Sequence, residues 1–355
     1  MWRALAKLPV WTRDGAHLLR SNGPCRVLCL APYGGIGDTI IMTALIRAIA
    51  ESRPGISVDV LTIRQNAPVL EGNPHVASLL LFERRRWRTL PRLARELRRR
   101  RYDVIVDPTV RPPSLTSLLL MQAAGAKYRI TVAGRGNEFI YTHVVPLPAH
   151  RVYQVERLAA LTAPFGVDAG PTDWRPGLYL TSAELHKAER TWRSDPEEDP
   201  QAGQARRGRR VLVNVSATHP ARRWPEEQFV EALLHLRRRD PGSRVLVIGA
   251  PAESARVARI ARASGTDPVN TRSIREALAL VATADMVFTP DTSISHAASA
   301  FSRPSVVMIL RRLQEFTPYR LLGRLVVHEG STLASLPAHA VIQALDEVLG
   351  AFAPH

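Results

Sequence analysis

The chain has 355 residues, of which 45% are hydrophobic and 23% are charged, and its formal net charge is +16. These values are typical of a globular protein with a sizeable core, and the length predicts two domains. The sequence shows no solenoid repeat and no apolar run as long as a membrane span. We therefore expect neither a repeat protein nor a membrane-spanning one.

Strand-like and helix-like segments alternate along the first half of the chain. The apolar run 26–30 predicts a strand, and 40–50 predicts a helix with a wide apolar face. Further strands are predicted at 58–62, 76–82, 103–107 and 128–132, and further helices at 66–71, 87–101, 114–123 and 151–164. This alternation predicts a mainly parallel sheet with helices on both faces, which is a doubly wound domain.

A glycine-rich turn joins the first strand to the first helix. Gly35 and Gly37 are present, but the third glycine of the dinucleotide-binding fingerprint is absent. Asp38 stands where a pyrophosphate would otherwise dock. It would repel a phosphate but could take a proton from a hydroxyl, or it could be the N-cap of the helix. The turn alone leaves both roles of Asp38 open.

Arginine supplies most of the positive charge and occurs in runs. The runs are Arg84–Arg86, Arg98–Arg101, Arg206-Arg207, Arg209-Arg210 and Arg237–Arg239. Such an excess predicts an anionic partner, either nucleic acid, an acidic membrane surface or a phosphorylated substrate. Nucleic acid is not expected, because zinc-ligand spacings, aromatic-rich basic strands and recognition-helix patterns are missing. The helix at 87–101 is either a solvated arginine face or a docking surface for anionic lipid head groups or an anionic acceptor.

The alternation of strands and helices starts again in the second half. Helices are predicted at 181–192, 225–239, 252–263, 273–283, 291–301 and 338–349, and strands at 210–215, 245–248, 284–289 and 305–310. This pattern predicts a second doubly wound domain. The acidic segment 194–203 has no strand to hold its carboxylates, so we expect a solvated loop there and not a metal site.

Two loops of the second half suggest a phosphate site. Asp291-Thr292-Ser293 lies at a strand end and a helix start, where free N–H groups and the helix dipole favour anions. Arg222 and Arg223 follow another strand and could hold a diphosphate without a metal ion. Singly, Asp291 could be a helix cap and Arg222 the partner of a surface carboxylate, but together they favour a phosphate pocket. His296 could contact a phosphate or sugar hydroxyl, or bond to a neighbouring loop.

The cysteines and the N-terminus indicate the compartment. Cys25 and Cys29 flank one predicted strand, where they cannot bridge, so two buried free thiols are expected. The first 22 residues carry four basic residues without the uninterrupted apolar core of a signal peptide. We therefore expect a cytoplasmic protein.

Three ordered motifs resemble glycosyltransferase family 9, the heptosyltransferases of lipopolysaccharide core assembly. The motifs are Gly35–Ile40, Asn214–Pro225 and Asp285–Ala298, and the resemblance covers nearly the whole chain. It implies an α/β protein of GT-B fold with two facing Rossmann-like domains, at 1–178 for the acceptor and 179–337 for the nucleotide sugar. It also implies a C-terminal helix, within 338–355, that crosses back to the first domain.

The resemblance further implies an inverting, metal-independent transfer of heptose from ADP-L-glycero-D-manno-heptose, without a cofactor. The implied acceptor is an anionic saccharide or lipid-linked sugar. The arginine excess adds the expectation of peripheral contact with the inner face of the cytoplasmic membrane. The family's catalytic base falls on Asp38, its donor-binding basic residue on Arg222 and its donor-binding Asp on Asp291. The remaining expected contacts are Ser216, Thr218, Arg223, Thr292, Ser293 and His296 for the donor, and Gly35, Gly37 and Thr39 for the acceptor loop.

The sequence departs from the family pattern at three places. Ser216 and Ser293 replace glycines, which narrows the expected donor pocket. Leu310-Arg311-Arg312 replaces a stretch with glycine and proline, and its arginines could add a phosphate or base contact or lie on the surface. The alternatives are a nucleotide-sugar epimerase of the same architecture, a family relative with an acceptor outside lipopolysaccharide, and a non-catalytic protein that docks on anionic lipid.

Overall fold

A computed structural model of the protein describes residues 23–31, 34–83, 86–109, 114–134, 138–147, 153–193 and 208–352. The N-terminal 22 residues and the acidic segment 194–203 lie outside these ranges. Backbone contacts divide the chain into two compact units, Met1–Tyr179 and Leu180–His355. Within the described ranges, none of the helices has the length and apolar character needed to cross a membrane.

The first unit alternates strands with helices. Its strands are β1 Cys25–Ala31, β2 Ile56–Thr62, β3 Ser78–Leu81, β4 Val104–Val106, β5 Tyr128–Val132 and β6 His143–Val145. Its helices are α1 Ile36–Glu51, α2 Ala67–Leu70, α3 Leu90–Arg100, α4 Leu115–Ala124 and α5 Gln154–Ala160, with 3₁₀ turns at Trp87–Thr89, Glu138–Ile140 and Ala163–Phe165.

The sheet of the first unit has the strand order β3-β2-β1-β4-β5-β6, and all neighbouring strands are parallel. The direction of the order reverses between β1 and β4. Open α/β sheets bind their ligands at such a switch point, beyond the carboxyl ends of the strands. The turn that carries Asp38 follows β1 and therefore lies at this point.

Both faces of β1 are buried from Val27 to Ala31. Val27 and Cys29 pack with Leu45 of α1 on one face of the sheet, and Leu28 packs with Leu97 of α3 on the other. Successive side chains of a strand point to opposite faces, so a strand covered on both sides needs an unbroken apolar run. This is why the apolar run 26–30 predicts the strand correctly.

The second unit repeats the pattern. Its strands are β7 Arg210–Asn214, β8 Arg244–Ile248, β9 Asp267–Val269, β10 Met286–Pro290, β11 Ser305–Leu310 and β12 Gly323–His328. Its helices are α6 Ser182–Thr191, α7 Glu226–Arg239, α8 Ser254–Ser264, α9 Ile274–Thr283, α10 Ser293–Ala300 and α11 Ala338–Ala351, with 3₁₀ turns at Pro220–Arg222, Pro251–Glu253, Arg311–Phe316 and Leu333–Ser335.

The second sheet is parallel and has the order β12-β11-β10-β7-β8-β9. If the strands are counted from the first strand of each unit, this is the same order as in the first sheet, written from the opposite edge. Its switch point lies between β7 and β10. Trp224 is fully buried in the core of this unit, 4.8 Å from the ring of Phe229 and 5.9 Å from that of Phe288. Its indole N–H donates to the carbonyl of Leu336 at 2.8 Å. Trp224 thereby anchors the Arg222-Arg223 loop that precedes it.

The predicted α/β class is confirmed, but three strands are not predicted from the sequence. β6, β9 and β12 all lie at sheet edges and are half-buried or exposed. An edge strand needs no unbroken apolar run, and β9 even contains Pro268, which only an edge tolerates. Helix α11 packs on α7, β11 and β12 of its own unit, and the crossing of the C-terminal segment to the first domain stays a prediction.

Candidate functional site

Asp38 lies in the first turn of α1, three residues after the N-cap residue Gly35. Its Oδ2 accepts a hydrogen bond from the backbone N–H of Gly35 at 2.7 Å. Asp38 is therefore not the N-cap, and closes the turn from the third helical position as the acidic residue of a capping box does. The residue is exposed, and its Oδ1 accepts no hydrogen bond from the described residues. One oxygen thus fixes the carboxylate while the other can accept a proton.

Glycine allows the turn to approach Asp38 closely. A Cβ atom at Gly34 would lie 3.0 Å from the Cβ of Asp38, which is tighter than an ordinary contact. Gly37 is half-buried within the first helical turn. Thr39 is buried, and its hydroxyl donates to the carbonyl of Gly35 at 3.1 Å. Thr39 therefore braces the turn from inside, whereas Gly35 is exposed at its surface.

Asn66 is a residue of this site that the sequence analysis missed. It follows β2, is fully buried, and its Nδ2 donates to the carbonyl of Gly34 at 2.8 Å. Asn66 therefore ties the turn before Asp38 to the neighbouring loop. Its position directly after a predicted strand is the one sequence feature that points to the site, but asparagine at that position is also typical of an ordinary turn.

Asp107 lies on the other side of the same switch point, directly after β4. It is buried, and its carboxylate accepts hydrogen bonds from the Tyr141 hydroxyl at 2.5 Å and the Thr109 N–H at 3.0 Å. These protein donors occupy the carboxylate. Asp107 therefore supports the loop, whereas Asp38 faces solvent.

The second unit brings Arg222 and Asp291 together at its switch point. Nη1 of Arg222 lies 3.3 Å from Oδ2 of Asp291, and the same nitrogen donates to the Asp291 carbonyl at 3.3 Å. The Asp291 carboxylate is buried, whereas the Arg222 side chain is 34% exposed. Arg222 thus pairs with a carboxylate of the site and not with a surface one. Its Nε is buried and donates to no described residue, whereas the exposed part of the side chain can bind an anion.

The start of α10 adds backbone donors beside this pair. Thr292 is the N-cap, so Asp291 is not; the Thr292 hydroxyl accepts from the Ile294 N–H at 3.3 Å and from Nδ2 of Asn214 at 3.2 Å. The bond from Asn214 ties the end of β7 to the end of β10. Ser293 is half-buried, and its N–H, the first of the helix, has no acceptor among the described residues. Such a helix start is an anion site.

His296 lies one turn further along α10 and is 6% exposed. Burial and the nearby positive charge of Arg222 lower the pKa of His296 to about 4, so its ring is neutral at pH 7. In the part of the chain that the structure describes, the ring forms no hydrogen bond to a neighbouring loop. A neutral imidazole offers one donor and one acceptor nitrogen, but the ring is buried, and its contact with a phosphate or sugar hydroxyl stays a prediction.

Ser216 and Arg223 are already bonded within the protein. The Ser216 hydroxyl accepts from the Ala250 N–H at 2.5 Å, so the serine that replaces the family's glycine fastens the loop after β8. Arg223 donates from Nε to the Ala217 carbonyl at 3.2 Å, and its Nη2 lies 3.3 Å from Glu253. Thr218 is exposed in the same loop. Of the donor residues predicted after β7, Arg222 and Thr218 are therefore the more available ones.

The arginines after β11 lie on the surface. Arg311 donates to Glu329 at 2.8 Å with a side chain 51% exposed, and Arg312 donates to the Ser331 carbonyl at 3.0 Å. Of the two interpretations of these residues, the surface one fits these bonds.

Over the described ranges, His, Cys, Asp and Glu side chains do not gather in any group of three or more that could hold a metal ion.

Comparisons with solved structures show the fold. A glycosyltransferase of family 9 from Veillonella parvula DSM 2008 has a TM-score of 0.76 at 15% identity, over 92% of this chain and 98% of that one. The E. coli heptosyltransferase WaaC, solved with ADP, has a TM-score of 0.70 at 21% identity, over 91% and 97%. The two sheets are thus those of the heptosyltransferase GT-B fold.

Comparisons of sequence show the family. Lipopolysaccharide heptosyltransferase 2 of Escherichia coli (strain K12) is 24% identical over 315 residues, 82% of this chain and 85% of that protein. Lipopolysaccharide heptosyltransferase 3 of the same strain is 23% identical over 287 residues, 76% and 78% of the two chains. The family model of glycosyltransferase family 9 (heptosyltransferase) matches residues 90–333, well over half of the sequence. This chain therefore belongs to glycosyltransferase family 9, and it is a glycosyltransferase.

Proposed function

We propose that this enzyme transfers a heptose or related sugar from ADP-heptose to an anionic saccharide or lipid-linked acceptor of lipopolysaccharide biosynthesis, with inversion at the anomeric carbon. Membership of family 9 and the two similar lipopolysaccharide heptosyltransferases support this assignment. The observation that carries it is the Arg222–Asp291 pair beside the open start of α10. This arrangement is an anion site at the ligand-binding end of the sheet.

The second unit binds the donor diphosphate. Asp291 is buried and holds Nη1 of Arg222, which fixes the guanidinium and leaves the exposed part of the side chain for a phosphate oxygen. The N–H of Ser293 and the dipole of α10 add to the positive potential. These groups stabilise the negative charge that develops on ADP as it departs. They take the role that a divalent cation fills in other transferases, so we propose a reaction without metal ion or cofactor.

Asp38 is the general base of the proposed reaction. As the acceptor hydroxyl oxygen bonds to the anomeric carbon, the bond from that carbon to the diphosphate breaks and the hydroxyl proton passes to Asp38. The Gly35 N–H holds Oδ2 of Asp38, which orients Oδ1 for this proton. Asn66 keeps the turn in place through the Gly34 carbonyl.

We propose that the reaction takes place in the cytoplasm. Cys25 and Cys29 are both free and buried, which suits a reducing compartment. Burial raises the pKa of Cys29 to about 12, so its thiol stays protonated and unreactive.

The epimerase hypothesis gains no support from membership of a glycosyltransferase family. If the enzyme consumes ADP-heptose only when an acceptor is added, that result agrees with transfer.

Asp38→Asn tests the proposal, because the amide oxygen can still accept from the Gly35 N–H while the base is lost. We expect the transfer rate from ADP-heptose to fall by about 10²–10⁴-fold, with ADP affinity by calorimetry unchanged within about twofold. Glu51→Gln, an exposed carboxylate on the same helix, is the matched control and should keep the parent rate. A near-parent rate for Asp38→Asn would contradict the assignment. Activity lost in EDTA and restored by Mg²⁺ would contradict the metal-free part of it.

A further inference from the structure

Helix α3 presents arginines on the side opposite its core contacts. Leu93 and Leu97 are buried in the core of the first unit, whereas Arg92, Arg95 and Arg98 are exposed. At about 100° per residue, these three arginines project away from the two leucines. The helix therefore directs a row of positive charge away from the sheet.

Few carboxylates neutralise this row. Arg99 pairs with Glu96 at 3.0 Å, and Glu96 also binds Arg100 at 2.8 Å. Arg92, Arg95 and Arg98 form no ion pair with any residue in the ranges that the structure describes. Their charge is therefore left for an external anion.

The neighbouring helix α4 exposes two leucines one turn apart. Leu115 is 45% and Leu119 is 51% exposed, while Leu120 and Met121 of the same helix are buried. Helices α3 and α4 pack side by side on one face of the sheet and share its core cluster. Their outer surfaces thus place an apolar pair beside a row of arginines. Nucleic acid binding does not need exposed leucines, whereas a bilayer interface uses both features.

We propose that this docking patch, formed by Arg92, Arg95, Arg98, Leu115 and Leu119, binds a bilayer that contains anionic phospholipid. The arginines pair with head-group phosphates, and the leucines enter the interface between head groups and acyl chains. Each arginine near such a surface strengthens binding about fivefold, and salt weakens it. The proposal goes beyond the transfer reaction, because it assigns a surface of the first unit that needs neither donor nor acceptor.

Vesicle sedimentation with the full-length protein tests the docking patch. We expect binding to vesicles of phosphatidylcholine mixed with phosphatidylglycerol, and little binding to phosphatidylcholine alone. Arg92→Glu with Arg95→Glu should weaken binding at least about 25-fold, from about fivefold for each arginine. Arg238→Glu with Arg262→Glu changes the net charge equally on exposed arginines of the second unit, and should have a much smaller effect. Leu115→Ser with Leu119→Ser should weaken binding while the salt dependence stays as in the parent.

Three outcomes would overturn the docking patch. One is parent-like vesicle binding by the Arg92/Arg95 variant, and another is an equal loss in the Arg238/Arg262 control. The third is tighter binding to duplex DNA than to vesicles, with no effect of the leucine substitutions. Calorimetric binding of ADP to each variant shows that the chain is folded, and it tests the donor site separately from the patch.

Discussion

The buried His296 predicts an acid sensitivity that can be measured. The pKa of this imidazole is about 4 in the folded protein, because the ring is buried and Arg222 repels its proton. In the unfolded chain the ring takes up a proton as the pH falls through its ordinary value of 6.5. The unfolded state therefore binds more protons than the folded state between pH 6.5 and 4. The free energy of unfolding must therefore decrease as the pH is lowered from 6.5 to about 4, and the contribution of His296 must level off below that range.

The size of this effect follows from the two pKa values. At about 1.4 kcal/mol per pKa unit, the interval from 6.5 to about 4 corresponds to about 3 kcal/mol of unfolding free energy. About 2 kcal/mol of it is lost between about pH 7.5 and about pH 5. Arg275 lowers the pKa of Glu184 to about 2, so this carboxylate destabilises the fold only below the ordinary glutamate value of 4.5. The effect of Glu184 on stability therefore lies mostly below the pH range in which His296 acts.

Urea unfolding followed by tryptophan fluorescence is the assay, since Trp224 is buried in the same unit as His296. The parent should lose about 2 kcal/mol of unfolding free energy between about pH 7.5 and about pH 5, and His296→Asn should lose much less. His186→Asn, an exposed histidine on α6, is the control and should behave as the parent does. An equal acid loss in the parent and in His296→Asn would refute the reasoning.

Two further substitutions test the positions of Asn66 and Arg222. Asn66→Ala removes the donor to the Gly34 carbonyl, so kcat should fall about tenfold to a hundredfold while KM for the donor stays constant, because the donor site lies in the second unit. A changed donor KM with an unchanged kcat would show that Asn66 does not act through Asp38. Arg222→Gln should weaken ADP binding by about 10-fold to 100-fold in calorimetry, because a charge-assisted hydrogen bond contributes about 1.5–3 kcal/mol. Arg223→Gln should cost less, since its guanidinium already bonds to Ala217 and Glu253; an equal or larger cost would contradict the donor site.

The sequence determines the class of the fold and the places where chemistry is available. Strands such as β1, β7 and β10 are buried on both faces, so their apolar runs are visible without any knowledge of their neighbours. Chain order then places Asp38 after β1 and Asp291 after β10, at the ends where open sheets bind ligands. The strands β6, β9 and β12 are only partly covered by the rest of the protein, so no unbroken buried run marks them in the sequence.

The tertiary structure decides which of these residues meet and what each can do. Arg222 and Asp291 are 69 residues apart, and they pair only because β7 and β10 are neighbours in the sheet. Asn66 reaches the Gly34 carbonyl for the same reason, across the parallel pair of β1 and β2. Strand order is set by pairing between distant segments, and local patterns along the chain do not contain that information. The motifs are therefore determined by the sequence alone, whereas the hydrogen-bond partners that orient Asp38 and Arg222 follow from the fold.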